Sequence, residues 1–112
     1  MKFNYIYGKQ AEQYDYLYIP KAFMKEEPFK TMTASAKIMY AVLMEKQQKS
    51  VEMGWIDNQD HVFIMVNTES VSKELNWGNA DTLVAIEELE RFGLVEIAEK
   101  EEDMKLYLKR FV

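Results

Sequence analysis

With 112 residues, 48% of them hydrophobic and 13% aromatic, the chain can build one domain with its own core, and its composition excludes a disordered polymer. It has no cysteine, which excludes disulfides and thiolate metal sites and fits a reducing cytosol. The net charge of -5 is unevenly placed: eight acids and eight bases balance in residues 1–68, whereas eleven acids face six bases in residues 69–112. The apolar run from Ile38 to Met44 is too short to cross a bilayer, and the N-terminus has no apolar signal core. The expectation is a cytoplasmic protein that makes no use of a membrane.

In chain order, residues 1–14 are polar but carry Phe3, Tyr5, Ile6 and Tyr7, too apolar for a free tail. They predict an arm that docks, with the domain proper at 15–112. Asp15-Tyr16-Leu17-Tyr18-Ile19 suits a strand that Pro20 stops; Tyr14, Tyr16 and Tyr18 would share one face. Short helical turns are expected at 21–24 and 29–32, separated by Glu27-Pro28. Thr33 caps the longest helix, residues 34–48, which is apolar on every face around Ile38 to Met44; it belongs either at the centre of the core, which a domain this small favours, or in a subunit interface. Residues 57–60 read as a turn, and 62–66 as a buried strand that pairs with strands near the C-terminus.

From Thr68 the pattern tightens. Thr68 is expected to cap a short helix with Val71 and Leu75 on one face. Asn76-Trp77-Gly78 is a turn in which Gly78 is expected to supply unusual backbone angles. Asn79 then caps a second helix, with Leu83, Ile86, Leu89 and Phe92 at helical spacing and Gly93 at its end. Leu94-Val95-Glu96-Ile97 and Leu106-Tyr107-Leu108 read as strands around an acidic turn. Helix, turn, helix, hairpin is the order of a winged helix-turn-helix of the α+β class, which can place its second helix in a DNA major groove.

Candidate DNA-facing residues are Asn79, which can pair bidentately with adenine, Thr82, which can meet a base edge or a thymine methyl, and Lys73. Helix capping alone would also explain Asn79. Lys100 and Lys105 could contact phosphates, helped by Lys37; pairing of the hairpin bases with nearby acids, or protection of an edge strand, is the competing reading. His61 with Asp57 and Asp60 lacks the ligand pattern of a metal site and reads as a solvated turn. Glu87, Glu88 and Glu90 fan over the outer face of a helix and read as solvated. No phosphate loop or nucleophile–base pair is present, so neither an enzyme nor a cofactor or metal site is expected.

The chain also resembles the N-terminal domain of the RepA-type replication initiators of Gram-positive plasmids and mobile elements. The resemblance is carried by Phe3-Asn4-Tyr5, Tyr18-Ile19-Pro20-Lys21, Phe29-Lys30, Ser35-Ala36-Lys37, Tyr40, Gly54-Trp55-Ile56-Asp57 and Val62-Phe63-Ile64. It continues through Leu75, Gly78, Glu88-Leu89-Glu90 and Gly93-Leu94-Val95. It implies a winged-helix domain that binds double-stranded DNA at origin repeats as a homodimer. It also implies a further C-terminal region, absent from this chain, that engages host replication proteins. On that reading the helix carrying Asn79, Thr82 and Val84 reads sequence, and Lys73, Lys100 and Lys105 meet phosphates. The chain departs from the family where its second helix begins without lysines and where the wing reads Glu99-Lys100-Glu101-Glu102-Asp103. The alternative is a winged-helix protein-interaction module that has lost strong DNA binding.

Overall fold

The computed structural model describes residues 2–8 and 15–110. A short helix α1 (Ala22–Lys25) and a 3-10 turn at Glu27–Phe29 lead to α2 (Ala34–Gln47), followed by strand β1 (Ile64–Asn67). Helices α3 (Thr68–Leu75) and α4 (Asn79–Arg91) come next, then the hairpin β2 (Val95–Lys100) and β3 (Asp103–Leu108). The three strands form one antiparallel sheet in the order β1-β3-β2. This is the winged helix-turn-helix expected from the pattern, with the hairpin as the wing.

Helix α2 is the hub because its residues are apolar around most of the circumference. Ala36, Met39, Tyr40, Ala41, Val42 and Leu43 are all buried. Burying each large side chain contributes about 1.5–3 kcal/mol. Its start is capped as expected: the Thr33 side chain accepts the Ala36 N–H. Ile86 and Leu89 of α4, Val71 of α3, and Ile64, Val66, Met104 and Leu106 from the inner face of the sheet join the α2 residues in one buried cluster. The register explains that face, since Ile64 pairs with Leu106 and Val66 with Met104. Facing pairs of this kind are the unit of sheet stabilisation.

Several local expectations are corrected. Asn67, not Thr68, caps α3: its Oδ1 accepts the Ser70 N–H at 2.9 Å, while its Nδ2 donates to Asp103 at the start of β3. The cap of α4 is Gly78, and Asn79 is the first helical residue. Gly78 has ordinary extended angles (φ -69°, ψ 153°); Asn76 turns the chain, in the left-handed region at φ 58°. Asparagine tolerates that region because its short polar side chain bonds locally. Residues 15–19 are not part of the sheet, and both Tyr16 and Tyr18 are exposed. Three of the strands expected further on begin or end elsewhere: Val62 forms only an isolated bridge to Ile56, and the wing strands run on into the acidic segment. Phe3, Tyr5, Ile6 and Tyr7 of the arm are exposed, while Tyr14 lies outside the described residues. Among the described residues no helix is long and apolar enough to cross a membrane.

Candidate nucleic-acid interface

The start of α4, the start of α3 and the wing surround an open groove of about 470 Å³, lined in part by Asn67, Glu69, Asn79, Leu83, Lys100 and Glu102. Its position follows from two turns. Asn76 reverses the chain between α3 and α4, and Gly93, at φ 79°, releases α4 into β2. Glycine takes such a φ without the steric cost other residues meet.

Asn79 and Ala80 are exposed at the first turn of α4, and Val84 follows at 56% exposure. No side-chain hydrogen bond occupies Asn79 among the described residues, so its amide is not spent on capping. Thr82 lies elsewhere. It is 0% exposed; its hydroxyl donates to the Gly78 carbonyl at 3.1 Å and meets the Ser72 hydroxyl at 2.7 Å. Ser72 is itself within 2.8 Å of the Thr68 carbonyl. The expectation that Thr82 meets a base edge is therefore corrected: its side chain joins α3 to α4. Position 82 belongs to the buried stripe with Ala85, Ile86 and Leu89, and a threonine satisfied by neighbouring oxygens can sit there.

The candidate phosphate contacts are spoken for within the chain. Lys73 pairs with Glu69 at 3.3 Å, one helical turn away. Lys100 Nζ donates to Glu87 Oε2 at 2.6 Å, and this bond holds the Lys100 ammonium above its ordinary pKa. Lys105 lies 4.5 Å from the centroid of the Phe63 ring. Lys109 pairs with Glu96 at 3.5 Å. Lys100, Lys105 and Lys109 thus find partners in the chain, none of them in the acidic segment at 99–103.

A β-bulge decides which way Lys100 faces. The register passes from Ile97 opposite Leu106 to Glu99 opposite Lys105, leaving Ala98 as an extra residue. Alternation would otherwise put Glu99 on the face shared by Val95 and Ile97. After the bulge Lys100 stands opposite Met104, a buried residue of the helix-facing side. Lys100 therefore reaches α4, and Lys105 turns to the other face with Phe63 and Tyr107.

Two acids were misplaced by sequence reasoning. Glu88 is only 6% exposed; it accepts the Thr33 N–H at 2.8 Å and the Thr33 hydroxyl at 2.7 Å. It thus anchors the α2 start to α4, where a carboxylate also suits the helix dipole. Glu87 is half-buried under the wing. Their adjacency to the apolar stripe at 85, 86 and 89 was the available signal. The turn at 57–60 was read correctly, with more inside it than expected. Asp57 accepts N–H groups from Gln59 and His61 and the Tyr107 hydroxyl. The His61 backbone bond, followed by the Tyr107 bond, holds the Asp57 carboxyl below its usual pKa.

The family model for the N-terminus of replication initiator protein A (RepA) matches residues 15–112. The chain belongs to that family. The matched span leaves the similarity at Phe3-Asn4-Tyr5 outside it. No curated protein matches this RepA-family chain. Among solved structures, one titled "N-Terminal domain of DNA binding protein" aligns with a TM-score of 0.78 at 23% identity, covering 99% of this chain and 86% of that one. "Structure of MDR initiator" aligns at 0.77 and 24% identity over 96% and 86% of the two chains. "Structure of Rep-DNA complex" aligns at 0.77 and 23% identity over 99% and 88%. At these identities the likeness establishes that the RepA-family domain here shares their fold.

Proposed function

We propose that this RepA-family domain binds double-stranded DNA at the repeats of a replication origin. The observation that carries the reading is the open groove at the start of α4, lined by Asn79, with Val84 exposed on the same helix outside the groove lining. In a winged helix this part of the second helix can enter the major groove. Asn79 offers the donor–acceptor pair that adenine matches, and Val84 an apolar surface for a thymine methyl. Lys73, Lys100 and Lys105 would reach phosphates by leaving or sharing their present partners. Likeness to the structure titled as a Rep–DNA complex supports the reading. The function is one of binding, without catalysis or cofactor.

The active unit would be a homodimer. Phe3, Tyr5 and Tyr7 are 82%, 88% and 68% exposed, and a groove between residues 16–20 and Ala41, Met44 and Gln48 is mostly apolar. Burying such an arm on a second copy would remove that surface from water.

The test is fragment selection from genomic duplex DNA at low salt, followed by titration of Asn79→Ala on the recovered site and on random sequence. A bidentate contact discriminates by about 1–3 kcal/mol, so affinity for the site should fall roughly 10–100-fold while random-sequence affinity holds. Equal weakening on both would remove Asn79 as a reader. A second reading is a protein-interaction module of the same fold. It is favoured by the exposed wing tip Glu101-Glu102-Asp103 and by the partners that Lys73, Lys100, Lys105 and Lys109 already have. Failure to enrich any duplex with folded protein would select it.

A further inference from the structure

We infer that Glu87 is an intramolecular phosphate mimic that occupies Lys100 and sets the DNA affinity of the domain. The inference rests on the DNA-binding reading above and concerns the regulation of that same surface.

Glu87 lies on the α4 face that follows from Ala80 and Val84, at spacings of seven and three residues. This is the face that would approach a DNA groove. The bulge at Ala98 turns Lys100 to the same side of the wing, and its ammonium sits 2.6 Å from the Glu87 carboxylate. The pair spans from wing to helix with the lysine side chain 51% and the carboxylate side chain 35% exposed, so the lysine is reachable by a phosphate.

A phosphate oxygen and a carboxylate oxygen ask the same thing of a lysine ammonium: a charge-assisted hydrogen bond. DNA that recruits Lys100 must therefore displace Glu87. The released carboxylate then stands beside a phosphate, where it is repelled or must take up a cation from solution. That uptake opposes the counterion release which drives phosphate binding. Because non-specific affinity comes almost wholly from phosphate contacts, the pair holds down binding to unmatched DNA. Glu69 stands toward Lys73 in the same relation at 3.3 Å on α3, on a more exposed surface.

The test is a fluorescence-anisotropy titration of a labelled random-sequence duplex over a range of salt concentrations, with the intact chain, Glu87→Gln, Lys100→Gln and the double variant. Glutamine keeps the length of the side chain and removes its charge. Glu87→Gln should tighten binding about 3- to 10-fold at low salt and steepen the slope of log affinity against log salt by about one phosphate contact. Lys100→Gln alone should weaken binding, since it removes a phosphate contact and leaves the Glu87 charge unpaired, and adding Glu87→Gln to it should restore none of that affinity. Weaker binding by Glu87→Gln would overturn the inference, because Glu87 would then be a reader or a support of the wing. A gain that survives loss of Lys100 would overturn it too, by reducing the effect to net charge. If the intact chain binds the duplex and Glu87→Gln binds identically, the inference fails and the DNA-binding reading stands. If none of the four proteins binds any duplex at low salt, the DNA-binding reading falls and takes the inference with it.

Discussion

Removing the Glu88 carboxylate should be among the costliest single changes to this domain, although the residue is charged and sits on a helix rich in acids. Its two oxygens accept the Thr33 N–H at 2.8 Å and the Thr33 hydroxyl at 2.7 Å, and the residue is 6% exposed. Hydrogen bonds to a charged group contribute about 1.5–3 kcal/mol each. A carboxylate at a helix N-terminus adds about 0.3–1 kcal/mol. Thr33 is itself exposed, so water replaces part of what Glu88→Ala removes. The expected net loss is about 3 kcal/mol, which for a domain of this size lowers Tm by roughly 10–15 °C. Glu88→Gln keeps one acceptor and loses the charge, so it should cost about half as much. The assay is urea unfolding followed by far-UV circular dichroism, with a double-mutant cycle against Thr33→Val. A coupling of about 1–2 kcal/mol between the two positions is expected. A loss below about 0.5 kcal/mol for Glu88→Ala, the range of ordinary surface substitutions, would refute the anchoring role.

Two further predictions concern the supports of the interface. Thr82→Val keeps the shape of the side chain but removes the hydroxyl between Ser72 and the Gly78 carbonyl, so unfolding in urea should show a loss of about 1–2 kcal/mol; Thr82→Ser, which restores the hydroxyl, should recover most of it, and an equal loss in both would point to packing alone. The Asp57 carboxyl, lowered first by the His61 backbone N–H and next by the Tyr107 hydroxyl, is stabilised in its charged form by the fold. Its contribution is therefore present above the unfolded carboxyl pKa and is lost as pH falls through the depressed folded value. Titration of Asp57 by carboxyl carbon NMR should give a midpoint below the usual aspartate range, moving upward in Tyr107→Phe; an unmoved midpoint would remove Tyr107 as a cause.

The sequence by itself determined the elements from α2 onward and their order, but not the course of residues 15–19, which the strand pattern misassigned. The periodicity of Val71, Leu75, Ile86 and Leu89, the Thr33 cap and the break at Gly93 act within a few residues, so they can be read without knowing what packs where. The same holds for the place of α2 in the core, since a helix apolar on most faces must be buried and a domain this small favours its centre. Even so, local rules mistook Asn76 for an ordinary turn residue and Gly78 for the strained one, because both residue types tolerate the left-handed region.

The surface of the candidate site was decided only by tertiary structure. Thr82 looked like a reader until α3 covered it, and Glu88 looked solvated until Thr33, 55 residues earlier, arrived above it. Lys100 owes its direction to one extra residue in a strand, and its partner Glu87 lies 13 residues back on another element. Asp57 and Tyr107 meet across 50 residues. Secondary structure is set by backbone conformation and neighbours within a turn. The exposure and charge state of a side chain are set by whatever the fold brings to it, and a carboxylate beside an N–H, a lysine or open water has the same letter in the sequence.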